Sequence, residues 1–226
     1  LMSEAGADPA LLDQAARRLA STGRSLVYVA VGGRLLGLVG ITDAIRPSAR
    51  QAIVELKAMG IRPVLLSGDL RATAERVAME VGIEEVHAEV RPEQKAGYVK
   101  RTQQEGRFTA MVGDGVNDAP ALAQADIGIA IGAGTDVAIQ AAQVVLMRSD
   151  PLDIPRAVRL SKATVRKMKQ NLGWASVYNL LAIPVAAGVF YPSLGWSLRP
   201  EISALLMSLS SIIVALNAVS LRRVVL

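Results

Sequence analysis

The sequence has no cysteine, a single histidine, and only 4% aromatic residues among its 226. Without cysteine there is no disulfide framework, no thiolate-held zinc and no thiol nucleophile. One histidine makes no metal site by itself, so His87 reads as a structural residue at a strand end. Charge is missing from two long stretches, residues 172–198 and 202–221. The remainder is rich in apolar residues, 51% of the chain with a mean hydropathy of +0.34. That composition excludes a disordered tail and points towards membrane segments. The length allows one large or two small domains, enough for a real core.

The charge that is present is unevenly placed. Residues 1–150 hold 16 basic and 18 acidic side chains, a net of −2; residues 151–226 hold 9 and 2, a net of +7. Arg156, Arg159, Lys162, Arg166, Lys167 and Lys169 form a basic run without an acid. Each uncharged stretch can supply the roughly 20 apolar residues a helix needs to cross a bilayer. The expected transmembrane helices are 172–190 and 202–221, with a hairpin link over 191–201. Basic residues flank both outer ends, including Arg222 and Arg223, whereas the link carries only Arg199. By the positive-inside rule the outer ends are cytoplasmic. Trp174, Tyr191 and Trp196 suit interfacial belts. A pair of buried helices in a soluble core would satisfy hydropathy alone, but not the charge bias. The same bias places the basic run at a membrane edge and accounts for it without nucleic acid.

Before the basic run, short apolar strands alternate with helical patterns. A Gly32-Gly33 hairpin joins strands 25–31 and 34–41. Helices are expected at 48–59, 73–81, 93–104, 118–124 and 135–141, and strands at 63–66, 86–88, 109–112, 127–131 and 144–147. This alternation predicts an α/β fold with a parallel sheet covered on both faces. Ligands of such folds bind beyond the carboxyl ends of the strands.

Three polar clusters fall there. Ser67-Gly68-Asp69 combines a hydroxyl with a glycine that permits close backbone approach. Lys95 lies on the first turn of a helix, within reach of a phosphate. Gly113-Asp114-Gly115-Val116-Asn117-Asp118-Ala119-Pro120 puts two carboxylates and an amide in a glycine-bounded loop. Paired acids in a tight loop are tolerated where a divalent cation bridges them to a phosphate, and hard oxygen donors favour Mg²⁺.

That last loop resembles the hinge signature of P-type ATPases, within the haloacid dehalogenase-like, Rossmann-type phosphotransferase fold. Asp43-Ala44-Ile45-Arg46-Pro47 resembles the same family's Asp-x-x-Arg-Pro segment. Ser67-Gly68-Asp69 resembles its Thr-Gly-Asp, and Lys95 falls at its phosphate-binding lysine. The resemblance runs from about residue 23 to 223. It implies that Asp114 ligates Mg²⁺ and Asp118 supports that site. It implies that Ser67, Gly68, Lys95 and Asn117 hold the phosphoryl group, with Asp69 completing the catalytic set. The reaction implied is phosphoryl transfer from ATP to an aspartate, then hydrolysis. The family's Asp-Lys-Thr-Gly-Thr nucleophile segment does not occur in this sequence, nor do its actuator domain, most of its nucleotide-binding domain or its earlier spans. The chain therefore resembles the C-terminal portion of a pump and is expected to be inactive alone.

The two spans bear on the cargo. Asn171, Tyr178-Asn179 and Pro184 in the first, and Met207 with Ser210-Ser211 in the second, match signatures of the copper-transporting heavy-metal (type IB) subgroup. Met207 and Ser211 share one helix face, and a thioether suits Cu⁺. The resemblance makes Tyr178, Asn179, Met207 and Ser211 the ligands of transported copper. A zinc/cadmium pump is the alternative cargo reading, less similar because neither span holds an internal charge. On their residues alone, Met207 reads as packing and the serines as bonded to their own backbone. The organisation implied is a nucleotide-domain tail (1–41), a phosphorylation domain (42–152), a basic juxtamembrane helix (153–171) and the two spans, in the plasma (inner) membrane. Membrane lipid, the upstream part of the pump and a copper chaperone are the implied partners. A membrane-tethered phosphatase of the same fold and a non-catalytic membrane module are the other function classes; the former would need an Asp-x-Asp segment.

Overall fold

In the computed structural model, described over residues 8–20, 24–41, 44–132, 136–195 and 200–223, the chain divides into two compact units, Leu1–Pro155 and Arg156–Leu226. Asp43, at the head of the Asp-x-x-Arg-Pro segment, lies outside the described residues.

The first unit begins with a 3-10 turn (Pro9–Leu12) capped by the Asp8 carboxylate, which accepts from Ala10 N at 3.0 Å. Helix α1 (Asp13–Ala20) follows. The antiparallel hairpin β1 (Ser25–Val31) and β2 (Arg34–Ile41) has the expected bounds. Its turn needs two residues at positive φ, and Gly32 (55°) and Gly33 (78°) supply them without a Cβ clash.

The alternating segment then runs α2 (Ala49–Ala58), β3 (Val64–Leu66), α3 (Arg71–Val81), β4 (Glu85–His87), α4 (Pro92–Gln104), β5 (Ala110–Gly113), α5 (Ala119–Gln124), β6 (Ile127–Ile131), α6 (Asp136–Ala141) and β7 (Val144–Leu146). The strands are parallel, as expected. Their pairing is not continuous: β3 pairs with β4, and β5-β6-β7 form a separate ladder. Several boundaries move by a residue or two, three of them for identifiable local reasons. Helix α3 starts at Arg71 rather than 73, directly after the extended Leu70 (φ −55°, ψ 142°). Helix α4 starts on Pro92 itself, whose missing N–H costs nothing at a first helical position. Asp118, expected to open a helix, instead ends a separate 3-10 turn (Val116–Asp118) ahead of α5.

The core is built from small residues. Ala121, Leu122, Ala130 and Ala138 are fully buried, and Val99, Ala121 and Ala125 pack with Ala96 and Met111. Small side chains let α5 lie close on the β5–β6 ladder. Gly128 on β6 shows how close: a Cβ there would meet the Leu122 carbonyl oxygen at 2.5 Å. Gln143 locks the same point, its Oε1 accepting from Gly128 N and its own N–H donating to Gly128 O at 3.0 Å.

In the second unit, the basic run and the first uncharged stretch belong to one unbroken helix, α7 (Asp153–Ala186). It ends four residues before the expected 190. Gly188 adopts φ +74° and Val189 N donates to Pro184 O at 3.1 Å, which closes the helix end. The short α8 (Tyr191–Leu194) follows, then α9 (Pro200–Val219) and a 3-10 turn over Ser220–Arg223. Among the described residues one helical segment, Ala204–Arg222, is long and apolar enough to cross a membrane, with a mean hydropathy of 2.1. The uncharged part of α7 shares its helix with the basic run and stops at Ala186, about 22 Å long at 1.5 Å per residue.

Candidate functional site

The three polar clusters converge through a chain of short-range bonds. Ser67 follows β3, and its N–H donates to His87 O at the end of β4 (2.9 Å). The Ser67 carbonyl accepts from Val90 N (3.0 Å), and the Asp69 carbonyl from Glu89 N (3.0 Å). The loops after β3 and β4 are thus stitched together. Gly68 lies against Val90, where a Cβ would sit 3.4 Å from the carbonyl oxygen. Glu89 makes the crossing in the left-handed region (φ 57°), unfavourable for a residue with a side chain. Its carboxylate accepts from Arg71 N at 3.4 Å. A non-glycine residue in that region leaves no mark in sequence, so Glu89 was not among the expected site residues.

From this seam the chain enters α4. The Arg91 N–H donates to Gln94 Oε1 at 2.9 Å, which fixes the first turn. That turn carries Lys95, whose Nζ donates to Asp118 Oδ1 at 2.7 Å. Both side chains are only about 15% exposed (15% and 14%). The pair ties the α4 end of the seam to the acidic loop after β5. Gly113 is needed there because Asp118 folds back over it: a Cβ would fall 2.7–2.9 Å from the Asp118 side chain. Asp114 and Asn117, by contrast, are exposed.

The expected residues therefore sort into three kinds. Asp114 and Asn117 present free-facing polar groups. Lys95 and Asp118 neutralise each other beside them. Ser67 and Asp69 form a self-contained turn, with Ser67 Oγ donating to Asp69 Oδ2 (2.8 Å) and accepting from Asp69 N (3.1 Å). Among the described residues no group of three or more His, Asp or Glu side chains gathers. The donor set suits Mg²⁺ nonetheless: that ion keeps several waters and needs only one or two carboxylates beside phosphate oxygens. Asp114 offers an open carboxylate, whereas Asp118 is already held by Lys95.

The Lys95–Asp118 pair can be tested by removing one partner. Breaking a buried ion pair leaves a charge without compensation, a loss of about 3–5 kcal/mol, and the residual exposure of this pair places it at the lower end. Lys95→Met is expected to lower the urea midpoint accordingly, and Asp118→Asn added to it should restore at least half of the loss.

Behind the seam lies a cluster that motif reading missed. Tyr98 Oη donates to Glu85 Oε1 (2.7 Å), His87 Nε2 lies 3.0 Å from the same oxygen, and Arg62 pairs with Oε2 (2.5 Å). The His87 and Tyr98 ring centroids lie 4.4 Å apart with their planes tilted by 50°. Hydrogen bonds from His87 first, and then from Tyr98, hold the Glu85 carboxyl below its ordinary 4.5. A depressed carboxyl contributes stability above about pH 4.5 that is lost as pH falls through the folded-state value. Tyr98→Phe removes one donor, so the acid-unfolding midpoint followed by circular dichroism should move to higher pH.

In the second unit three of the four expected copper ligands, Asn179, Met207 and Ser211, are exposed. The partly buried positions of α9 are Leu206, Ser210, Val214 and Asn217, on one face. Met207 is 67% exposed and Ser211 is also exposed, with its hydroxyl donating to Met207 O at 3.1 Å. Asn179 is exposed, and the Tyr178 side chain lies outside the described residues. What joins the helices is a polar clamp. Lys167 Nζ donates to Asn217 Oδ1 (2.8 Å), and Asn217 Nδ2 donates to Asn171 Oδ1 (2.7 Å). Asn171 was noted in sequence for its motif; its bond to Asn217, 46 residues away along the chain, was not legible.

Comparison with known proteins places this geometry. The chain is 53% identical over 93% of its length to a copper-exporting P-type ATPase B of Archaeoglobus fulgidus, and spans 30% of that protein. It is 48% identical over 98% of its length to a copper-exporting P-type ATPase of Vibrio cholerae, spanning 24% of it, and 50% identical over 88% to copper-transporting ATPase 2 of Mus musculus, spanning 14%. Among solved structures, a zinc-transporting PIB-type ATPase in an E2·Pi state superposes with a TM-score of 0.75 at 32% identity, covering 95% of this chain and 34% of that one. The chain thus spans about a third or less of the relatives it matches. The family model described as haloacid dehalogenase-like hydrolase matches residues 3–126. By that match, and by its parallel strands with polar loops at their carboxyl ends, the chain belongs to the haloacid dehalogenase-like hydrolase family.

Proposed function

We propose that this chain is the C-terminal part of an ATP-driven, copper-exporting P-type ATPase that works through an aspartyl-phosphate. The observation that carries the reading is the Lys95–Asp118 pair, which holds the Asp114 loop at the carboxyl end of β5 and joins it to the Ser67–Asp69 seam. Mg²⁺, when bound, would neutralise phosphate charge. Asp114 would hold it, with Asp118 as support. Lys95, which carries the cation of the pair, would sit beside the phosphoryl oxygens. Ser67, Gly68 and Asn117 would orient those oxygens by hydrogen bonds, so that positioning and charge neutralisation do most of the work.

The nucleophile must come from elsewhere in a longer polypeptide. The pairing leaves room for it: β3 and β5 each have one edge without a strand partner among the described residues. A parallel strand carrying the phosphorylated aspartate can add to such an edge.

Copper as cargo is supported by the relatives named for copper at 48–53% identity and by the soft thioether of Met207. Zinc or cadmium is the second reading, favoured by the zinc-transporting structural neighbour. The exposed face of α9 that bears Met207 and Ser211 would complete its site against spans contributed by the rest of the pump, with both outer ends of the helices cytoplasmic.

Reading the DNA upstream of Leu1 tests this directly. An open frame encoding Asp-Lys-Thr-Gly-Thr and Cys-Pro-Cys or Cys-Pro-His supports the pump; a stop codon and a ribosome site immediately upstream would sink it. In the full-length product, copper should stimulate ATP hydrolysis, and Met207→Ala should weaken that stimulation.

A further inference from the structure

The basic run of α7 is not equally available all round. The clamp to Asn217 turns Lys167 and Asn171 towards α9 and leaves Lys167 only partly exposed. With 3.6 residues per turn, Lys162, Arg166 and Lys169 fall in a stripe about 60° wide, roughly 130° around the helix from Lys167. All three are exposed, and together with Val165 and Gln170 they line an open groove. No acid occurs between Arg156 and Lys169, and among the described residues no carboxylate pairs with any of the three. The same stripe runs on into the uncharged stretch at Gly173, one turn beyond Lys169.

We propose that this groove is a docking surface for anionic phospholipid headgroups. The inference rests on the membrane reading given above. A headgroup phosphate at the boundary would meet three cations on one helical face while its acyl chains continue along the apolar part of α7. Charge complementarity selects this occupant: a zwitterionic headgroup would gain little from three fixed cations, and an anionic one gains from each. Lys167 is withheld, so the surface is defined by rotation of the helix and not by the number of basic residues.

The test uses the 226-residue chain in phosphatidylcholine vesicles with or without about 30 mol% phosphatidylglycerol. Gly173→Trp supplies the reporter, since a Cβ there meets nothing within 4 Å. Trp174→Phe and Trp196→Phe silence the native tryptophans. Quenching by brominated phosphatidylglycerol is compared with quenching by brominated phosphatidylcholine. The expected result is at least about fivefold stronger association of phosphatidylglycerol at low salt, falling steeply at about 0.5 M salt. Lys162→Gln/Arg166→Gln/Lys169→Gln should bring the preference below about twofold. Arg50→Gln/Lys100→Gln/Arg107→Gln, which removes the same charge elsewhere, should leave it intact. Absence of a preference, or equal loss in the second variant, overturns the proposal. So does displacement by inorganic phosphate at constant ionic strength, which would make the groove a soluble-anion site. Release of the chain by alkaline carbonate would instead remove the membrane reading, and this proposal with it.

Discussion

Asp114→Asn is expected to lower copper-stimulated phosphoryl transfer in the full-length pump by at least about 100-fold, while the unfolding midpoint of the 226-residue chain stays within about 1 °C. The two outcomes separate because Asp114 is exposed and, among the described residues, bonds to nothing that holds the fold. Its neighbour cannot take over: Asp118 is committed to Lys95 at 2.7 Å. Asparagine keeps the shape and loses the charge, so the effect would report on electrostatics. Phosphoenzyme formed from labelled ATP at saturating copper is the direct measure. Wild-type phosphoenzyme levels in Asp114→Asn would remove the Mg²⁺ role and leave the acidic loop as a solvated turn.

The largest structural effect is expected from Gly128→Ala. The added methyl would lie 2.5 Å from the Leu122 carbonyl oxygen, 3.0 Å from its carbon and 3.1 Å from Gln143 Oε1. The two nearest are backbone atoms of α5, whose Ala121 and Leu122 are fully buried, so they cannot move aside as a flexible side chain would. Overpacking of a close-packed core costs about 1–3 kcal/mol, and disturbing the Gln143 bonds places this variant at the upper end. A urea titration of the first unit's unfolding should show it. Gly97→Ala is the contrast. It lies in α4 with nothing within 4 Å of its Cβ, and should stabilise the chain by about 0.5–1 kcal/mol through helix propensity. Equal behaviour of the two variants would mean that the close approach of α5 to β6 is not rigid.

The same contrast marks what was legible beforehand. Elements set by neighbouring residues were read correctly. Gly32-Gly33 can take the two positive φ values of a tight hairpin, and the strand bounds followed. Gly60, Gly82 and Gly106 ended the helices they were expected to end, because each can adopt the left-handed conformation that releases carbonyls from the last turn. The loop after β5 stood out as a candidate site because two acids in a tight glycine-bounded loop repel one another.

Pairings between distant segments were not legible. Lys95 was expected to point at a phosphate; its place against Asp118, 23 residues on, follows from how α4 packs over α5. The parallel sheet was expected whole, yet its hydrogen bonds divide between β4 and β5, since pairing depends on which strands the fold brings side by side. On α9, spacing put Met207 and Ser211 on one face, and that holds. Which way the face points depends on Asn217 clamping Lys167 and Asn171, bonds that span 50 and 46 residues. The composition at the outset, without cysteine and with its net positive charge banked at one end, set the chemistry available to this chain. Periodicity and caps are local, so the sequence carried them openly. The rotation of a helix and the partner of a charge depend on contacts between remote segments, and only the folded chain decides those.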